Sequence, residues 1–181
     1  FSICVTAVGK QLPSYFKYTL PSVASYCKSH GYALNLVSTR SKDKRPPAWQ
    51  KLLAFHEVPD YVSHVVLLDM DVFILPDAKP IHEFVDLDSV NVKRENDHWQ
   101  TGVMVVPRKH REWLESIYKN AKWKDAGNWF EQGAVSQSIN DGEVPVAELE
   151  EKWNWIPNGT IRSMMIRRKG VQFVHQAGNN P

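Results

Sequence analysis

The chain has 181 residues, of which 43% are hydrophobic and 23% are charged, a composition typical of a globular protein rather than a disordered one. Its 22 basic and 20 acidic residues give a net charge of +2, which is too balanced to indicate a nucleic-acid partner. Two cysteines, Cys4 and Cys27, exclude a disulfide framework, and both indicate buried thiols. No apolar run approaches the roughly 18 residues of a membrane span, so we expect no stable membrane insertion of this chain.

The first half of the chain alternates predicted strands with predicted helices. Residues 2–8 and 33–37 are apolar and β-branched and predict two strands, and Pro21 predicts a kink or a fresh start in the helical segment between them. Residues 48–57 predict a short helix. Residues 65–68 are continuously apolar, as expected of a parallel strand that is covered on both faces.

The second half is more mixed in its predicted elements. Further strands are predicted at residues 89–93, 102–106 and 171–174, and helices from about Lys109 and over residues 131–139. The polar residues 94–101 predict a connection between two of the strands. Alternation of strand and helix predicts one α/β domain over residues 1–181, with a mainly parallel central sheet flanked by helices.

Two acidic residues, Asp69 and Asp71, follow the apolar strand at 65–68. If the chain stays extended, residues two apart point the same way, and like charges about 4 Å apart repel by about 4 kcal/mol at an effective dielectric of 20. A divalent cation bound by carboxylate oxygens removes this repulsion, and open α/β sheets bind ligands at the carboxyl ends of their strands. The pair therefore predicts a metal site.

Two other interpretations of this acid pair stay open. One is a solvated turn after a core strand, in which Asp71 caps nearby backbone. The other is the nucleophile motif of haloacid-dehalogenase-like phosphatases, in which Asp69 would attack phosphorus and Asp71 would act as acid and base. That family normally begins its chain with the motif, whereas here the motif follows the third predicted strand.

Six short segments carry a family resemblance. In chain order they are residues 2–9, Trp49-Gln50-Lys51, Asp69-Met70-Asp71, residues 100–106, residues 129–132 and residues 173–178. Together they resemble the motifs of nucleotide-sugar-dependent glycosyltransferases of the A-type fold, especially the retaining families related to glycogenin and the yeast mannan galactosyltransferases. The resemblance covers most of the chain, and the order of the segments is more specific than any one of them.

The resemblance implies a fold, a reaction and a cofactor. The fold is a single Rossmann-like A-type glycosyltransferase domain, with a nucleotide-binding half over about residues 1–106 and a half for donor sugar and acceptor over about residues 107–181. The reaction moves a sugar from a nucleotide sugar, first of all a UDP-sugar, to a glycan or other hydroxyl acceptor with retention of configuration. The implied cofactor is Mn²⁺, or Mg²⁺ in its place.

Site residues follow from the resemblance, position by position. Metal binding is implied for Asp69, Asp71 and His175, with Asp69 also touching the ribose. Binding of the nucleotide and donor sugar is implied for Thr6, Ala7, Val8, Lys51, Asp69, Arg94, Gln100, Thr101, Gly102 and Gly178. The catalytic candidates are Glu131 and Gln132, and an inverting enzyme would need a carboxylate base, for which Glu131 or Asp97 could serve.

Two departures from the family pattern keep a non-catalytic nucleotide- or carbohydrate-binding relative open as an alternative. Gln100 stands where the pattern has Asn, and Asn180 stands where a Lys often contacts the diphosphate. Single residues also have plainer interpretations: His175 as a solvent-facing histidine, Glu131 as a first-turn acid favoured by the helix dipole, and Lys51 as part of an exposed helix face.

The chain begins with Phe1 rather than Met. This beginning indicates a segment trimmed from a longer chain. We expect a cytoplasmic location, with the Golgi lumen as the alternative if a membrane anchor has been removed.

Overall fold

The computed structural model describes residues 1–6, 12–37, 45–120, 130–157 and 170–176, with side chains described outside residues 12–16. The strands are β1 (Ser2–Thr6), β2 (Ala33–Val37), β3 (His64–Leu68), β4 (Val72–Ile74), β5 (Val90–Glu95), β6 (His98–Pro107), β7 (Val146–Glu148) and β8 (Phe173–His175). The α-helices are α1 (Leu12–His30), α2 (Arg111–Asn120) and α3 (Phe130–Asn140), and 3₁₀ helices span Pro47–Glu57, Ile81–Glu83, Arg108–His110 and Glu151–Trp153. Within these ranges, no helix combines the length and apolarity needed to cross a bilayer.

A six-stranded sheet with the order β2-β1-β3-β6-β5-β7 forms the centre of the molecule. Strand β1 runs parallel to β2 and β3, and β5 runs parallel to β7. Strand β6 is antiparallel to both of its neighbours, β3 and β5. The predicted α/β fold with a mainly parallel sheet is therefore confirmed, and β6 is its antiparallel member. A separate small sheet pairs β4 with β8 in antiparallel orientation.

Side chains of β3 alternate between two apolar layers, one on each face of the large sheet. Val65 and Leu67 belong to a layer that includes side chains of the first 3₁₀ helix, α2 and α3. Val66 and Leu68 belong to a layer that includes side chains of α1, β4 and β8. Because both faces are covered, β3 is a continuous apolar run, as predicted. Its carboxyl end is held in the middle of the sheet, and Asp69 follows directly.

The polar stretch 94–101, predicted as a connection, is instead the tip of a β-hairpin. Glu95 at the end of β5 pairs with His98 at the start of β6, across a turn at Asn96 and Asp97. Asn96 has a φ of 54°, a left-handed conformation that asparagine adopts more readily than most residues. The strand pattern was missed because most side chains at this end of β6, namely His98, Gln100 and Thr101, are polar.

Three smaller differences separate the prediction from the structure. The three-residue strands β4 and β7 were not predicted, and the helix predicted at residues 48–57 is a 3₁₀ helix. Pro21 lies inside the single helix α1 rather than at the start of a second helix. Helices α2 and α3 begin within two residues of the predicted positions. The apolar spacing is clear in α2, which buries Trp113, Leu114, Ile117 and Tyr118.

Candidate active site

The acid pair lies in the turn that joins β3 to β4, so the extended geometry that was the condition for the predicted convergence does not persist through Met70. The Asp69 N–H donates to the Gly102 carbonyl at 2.9 Å, and the Val72 N–H donates to the Asp69 carbonyl at 3.1 Å. Thr19 of α1 donates its hydroxyl to the carbonyl of the intervening methionine at 2.7 Å. These bonds tie the turn to β6 and α1, and the Asp69 and Asp71 carboxylates both approach one imidazole.

That imidazole belongs to His175, which ends β8. The register of the small sheet pairs His175 with Val72, and the Gln176 N–H donates to the Asp71 carbonyl at 3.1 Å. His175 Nε2 lies 3.4 Å from Asp71 Oδ1 and 3.9 Å from Asp69 Oδ2. One ligand atom from each of the three residues lies within 4.8 Å of the other two. The structure thus brings together the three residues predicted as metal ligands.

Two carboxylates and one imidazole form a donor set that suits a divalent cation. Oxygen and nitrogen ligands lie about 2.0–2.6 Å from such ions, so ligand atoms around one ion are roughly 3–5 Å apart. The observed spacing, within 4.8 Å, falls in that range. A mixture of carboxylate oxygen and imidazole nitrogen is compatible with Mn²⁺ and with Mg²⁺. The residues present therefore fit the cofactor that the resemblance implies.

The two acids of the pair sit in different electrostatic surroundings. Burial raises the pKa of Asp69 above its usual value, with Glu131 and Asp71 adding to this effect and Lys51 opposing it. Burial also acts to raise the pKa of Asp71, but the hydrogen bond and charge of His175 outweigh it and lower the pKa below its usual value. A cation between the pair would lower the cost of keeping both carboxylates ionised.

Lys51 is enclosed beside Asp69, with 1% of its side chain exposed. Its ammonium lies 2.5 Å from Asp69 Oδ1 and 2.6 Å from Glu131 Oε1, and it donates to the Thr101 carbonyl at 3.2 Å. Burial alone would lower the pKa of Lys51, but the two carboxylates outweigh burial and hold this pKa above its ordinary value. The ammonium has three N–H donors, and protein groups take all three. Lys51 is therefore an internal link and not part of an exposed helix face.

The two residues predicted to act on the sugar, Glu131 and Gln132, lie in the first turn of α3 and face β6. Thr101 donates its hydroxyl to Glu131 Oε1 at 3.1 Å, and its N–H donates to Gln132 Oε1 at 3.1 Å. Through Lys51, this network continues to Asp69. The predicted catalytic residues and the predicted metal ligands thus form one connected group.

A cleft of about 290 Å³ opens beside Gln132, and it is also lined by Asp97, His98, Gly133 and Ser136. It lies between the tip of the β5–β6 hairpin and the start of α3. The Asp97 side chain is 99% exposed, and its nearest described partner is His98, 3.5 Å away. Asp97 and Gln132, both predicted as catalytic candidates, therefore line the same cleft.

Other residues with predicted donor contacts are placed as follows. Thr6 is buried at the carboxyl end of β1, and its hydroxyl finds no partner among the described residues. Arg94 is exposed, with its guanidinium over the ring of Trp99. Gln100 is buried next to His98, 3.2 Å from amide nitrogen to ring nitrogen. The predicted residues Ala7, Val8 and Gly178 lie outside the described residues.

Gly102 has a structural task that its prediction as a donor-sugar residue did not include. A Cβ built on Gly102 would lie 2.1 Å from Cε1 and 2.3 Å from Nδ1 of His175. The imidazole therefore rests directly on the backbone of β6, and any side chain at position 102 would displace the ring.

Sequence reasoning missed one residue of this group, Asn154. It is fully buried, and its Oδ1 lies 3.0 Å from His175 Nδ1. Its Nδ2 donates to the Gln100 carbonyl at 3.2 Å. No motif marks this residue in the sequence; a buried asparagine between two tryptophans is visible only once the chain is folded.

No family model and no curated protein matches this sequence. Solved structures do match. A glycosyltransferase involved in glycosylating the major capsid of PBCV-1 has a TM-score of 0.79 and 20% sequence identity, covering 99% of this chain and 93% of the other. Galactosyltransferase LgtC, solved in complex with donor and acceptor sugar analogues, has a TM-score of 0.57 and 14% identity, covering 98% of this chain and 87% of the other.

A Drosophila β-1,4-galactosyltransferase 7 mutant, in complex with manganese, UDP-Gal and xylobiose, has a TM-score of 0.58 and 14% identity. It covers 99% of this chain, which in turn covers 71% of the fly protein. At these identities the similarity establishes the fold. The chain has the A-type glycosyltransferase fold. The fold that the motif order implied is therefore confirmed, independently of sequence similarity.

Proposed function

We propose that this protein is a metal-dependent glycosyltransferase. It would transfer a sugar from a nucleotide sugar to a hydroxyl of a glycan or other acceptor, with retention of configuration. A UDP-sugar is the favoured donor. The observation that carries this proposal is the convergence of Asp69, Asp71 and His175 at the end of the central strand of an A-type fold. The fly neighbour, solved with manganese, UDP-Gal and xylobiose, supports the classes of ion, donor and acceptor.

At the diphosphate end of the donor, Asp69, Asp71 and His175 would hold Mn²⁺ or Mg²⁺. When bound, such an ion would supply positive charge for the departing diphosphate. Asp69 is oriented from two sides, because Oδ1 contacts Lys51 while Oδ2 faces His175. Lys51 would thus position the carboxylate rather than contact phosphate, since its three donors are already used.

At the sugar end, Glu131 and Gln132 would face the reacting carbon. Gln132 Oε1 accepts the Thr101 N–H, so the amide NH₂ is left to donate into the cleft. Glu131 accepts from Lys51 and Thr101, so it would hold Thr101, and through it Gln132, in place beside the sugar. One LgtC neighbour is an active-site mutant in which glutamine is replaced by glutamate, so a glutamine belongs to the active site of that protein.

Retention of configuration is supported by how the two candidate bases are held. An inverting enzyme needs a carboxylate that takes the proton of the acceptor hydroxyl. Glu131 is already engaged by Lys51 and Thr101. Asp97 is 99% exposed at the hairpin tip, where water solvates it fully. A retaining reaction makes no demand for a strong base at either position.

A donor screen tests the proposal. Purified protein would be incubated with Mn²⁺ and a panel of nucleotide sugars, and release of nucleoside diphosphate would be measured with and without glycan acceptors. We expect release from at least one UDP-sugar, loss of release in EDTA, and loss in Asp71→Asn. Asp88→Asn is the matched control, because Asp88 is an exposed acid paired with Lys109, and this variant should keep wild-type release.

Two other outcomes would replace the proposal. Manganese-dependent UDP binding, with no sugar release for any donor and acceptor, would indicate a non-catalytic binding relative. Hydrolysis of p-nitrophenyl phosphate that is lost in Asp69→Asn would indicate a phosphatase.

A further inference from the structure

We propose that Asn154 is a positioning residue for His175. It accepts a hydrogen bond from Nδ1, so that Nε2 is the nitrogen left to bind a cation together with Asp69 and Asp71. This inference rests on the metal-binding role of His175 in the proposed function. Nothing in the sequence pattern or the family resemblance pointed to Asn154.

The direction of the two hydrogen bonds made by the Asn154 amide follows from one group that can only accept, the Gln100 carbonyl. The Gln100 backbone carbonyl can only accept, so the Asn154 group that contacts it at 3.2 Å must be the NH₂. The Asn154 oxygen then faces His175 Nδ1 at 3.0 Å, and an oxygen can only accept. Nδ1 must therefore donate. A backbone carbonyl of β6 thus determines, through one amide, which imidazole nitrogen carries hydrogen.

Asn154 has little freedom to reorient. It is 0% exposed and directly follows the 3₁₀ turn Glu151–Trp153, to which its N–H is bonded at 3.1 Å. Its neighbour Trp155 is tied to β8 from both sides, accepting from the His175 N–H at 2.8 Å and donating to the Phe173 carbonyl at 3.1 Å. Backbone and side chain therefore hold the amide and the imidazole in one fixed relation.

The surroundings of His175 explain why such a partner is needed. The ring is 5% exposed, it rests on Gly102, and its other described polar neighbours are Asp69 and Asp71. Without an acceptor at Nδ1, the neutral ring would place its proton on Nε2 and donate to Asp71 Oδ1, which is 3.4 Å away. A protonated Nε2 has no lone pair for a cation. Ligating histidines usually donate the other ring N–H to such a partner, and its loss typically weakens metal binding 10–100-fold.

Two substitutions separate hydrogen bonding from packing. Asn154→Leu keeps approximate volume and removes the acceptor, and Asn154→Asp keeps an oxygen acceptor for Nδ1. Mn²⁺ affinity would be measured by the electron paramagnetic resonance signal of free Mn²⁺. We expect a Kd about 10–100-fold higher in Asn154→Leu, and a smaller loss in Asn154→Asp, which keeps the acceptor for Nδ1 but loses the donor to the Gln100 carbonyl. Asn91→Leu is the control, because Asn91 is a buried asparagine of β5 bonded to Asp86 and Ser89, and it should leave Mn²⁺ affinity unchanged.

A second measurement needs no metal. Long-range ¹H–¹⁵N correlation spectra report which imidazole nitrogen is protonated, and His175→Gln assigns the signal. In spectra recorded at a pH where the ring is neutral, we expect Nδ1–H in wild type and Nε2–H in Asn154→Leu. A neutral wild-type ring with its hydrogen on Nε2, or unchanged spectra and Mn²⁺ affinity in Asn154→Leu, would overturn the inference. If the wild type binds no Mn²⁺, the proposed function fails, and the spectra alone still decide the role of Asn154.

Discussion

Lys51 carries a positive charge at a position that water does not reach. Its side chain is 1% exposed, and its ammonium is shared between Asp69 and Glu131. Removing one partner of a buried ion pair leaves the other charge buried without compensation, which strongly lowers folding stability. An exposed ion pair contributes little to folding stability. One residue thus keeps a candidate metal ligand and a candidate catalytic carboxylate at a fixed separation, and the stability of the fold depends on this arrangement.

Replacing Lys51 by Met should destabilise the protein by about 3–5 kcal/mol at pH 7, as measured by urea unfolding. Without the ammonium, the pKa of the buried Asp69 carboxyl, which is already raised by burial, rises further above its unfolded value. A raised carboxyl pKa contributes stability in acid that is lost as pH rises through the folded pKa. The variant should therefore be closer to wild type at pH 5 than at pH 7.

Lys109→Met is the matched control for this comparison. Lys109 forms an exposed ion pair with Asp88, so its loss should change stability little at either pH. Equal effects of the two lysine substitutions would contradict the internal role of Lys51.

Gly102→Ala should damage the metal site more than the fold. The added Cβ would meet the His175 ring 2.1 Å from Cε1, so the imidazole must move away from the acid pair. We expect Mn²⁺ affinity to fall at least about 10-fold, the lower end of what loss of ligand orientation costs. Val103→Ala, next along β6 in the apolar layer, should lower stability by cavity formation and leave Mn²⁺ affinity unchanged. Wild-type affinity in Gly102→Ala would show that the ring position does not matter.

At the scale of elements, the sequence predicted those parts of the fold that have a strong apolar period. Strand β3 and helix α2 were placed within about two residues, because each buries a regular set of apolar side chains. Strands β4 and β7 have three residues each, too few to show a period. The amino end of β6 was missed because three of its first four side chains, His98, Gln100 and Thr101, are polar, and only Trp99 belongs to the core.

The candidate site shows the same division. Asp69 and Asp71 could be predicted from electrostatics, because two acids after an apolar strand demand a compensating charge. His175 needed the family resemblance, since nothing local connects it to the acids. Asn154 could not be predicted, because its partners are a backbone carbonyl and a ring nitrogen that only the fold brings near.

The cysteine of strand β1 offers a chemical test of how stably β1 stays paired with β2 and β3. Cys4 lies between Asn35 of β2 and Leu67 of β3 in the register, and Cys27 lies on the buried face of α1. Burial raises the pKa of the Cys4 thiol to about 12 and that of the Cys27 thiol to about 11, from an ordinary 9.0. The thiolate is the reactive form, so both thiols should be inert while the sheet is closed.

We expect no alkylation of either cysteine by iodoacetamide at pH 8 in the folded protein. Because the Cys4 pKa is raised from 9.0 to about 12, its thiolate fraction at pH 8 is about a thousandfold lower, and burial adds a steric barrier. Both should react fully in urea. Site-resolved mass spectrometry of labelled peptides would measure this. Labelling of Cys4 under native conditions would mean that β1 separates from its neighbours much more easily than the register indicates.

At the scale of the whole molecule, the candidate metal ligands connect distant parts of the chain. Asp69 and Asp71 follow the central strand of the large sheet, while His175 comes from the small sheet, more than 100 residues later in sequence. A cation bound by all three residues would join the two sheets. Because the unfolded chain does not hold these residues together, binding energy would appear as folding stability.

Mn²⁺ at about 100 times its Kd should therefore raise the free energy of unfolding by about 2.7 kcal/mol. For a chain of this size, that corresponds to an increase in Tm of about 5–10 °C, measurable by calorimetry and reversed by EDTA. Asp71→Asn should abolish the increase, because it removes one of the three ligands. Asp88→Asn, which alters an exposed acid outside the group, should preserve it. An equal increase in both variants would place the stabilising ion at the general acidic surface, and the link between the two sheets would be wrong.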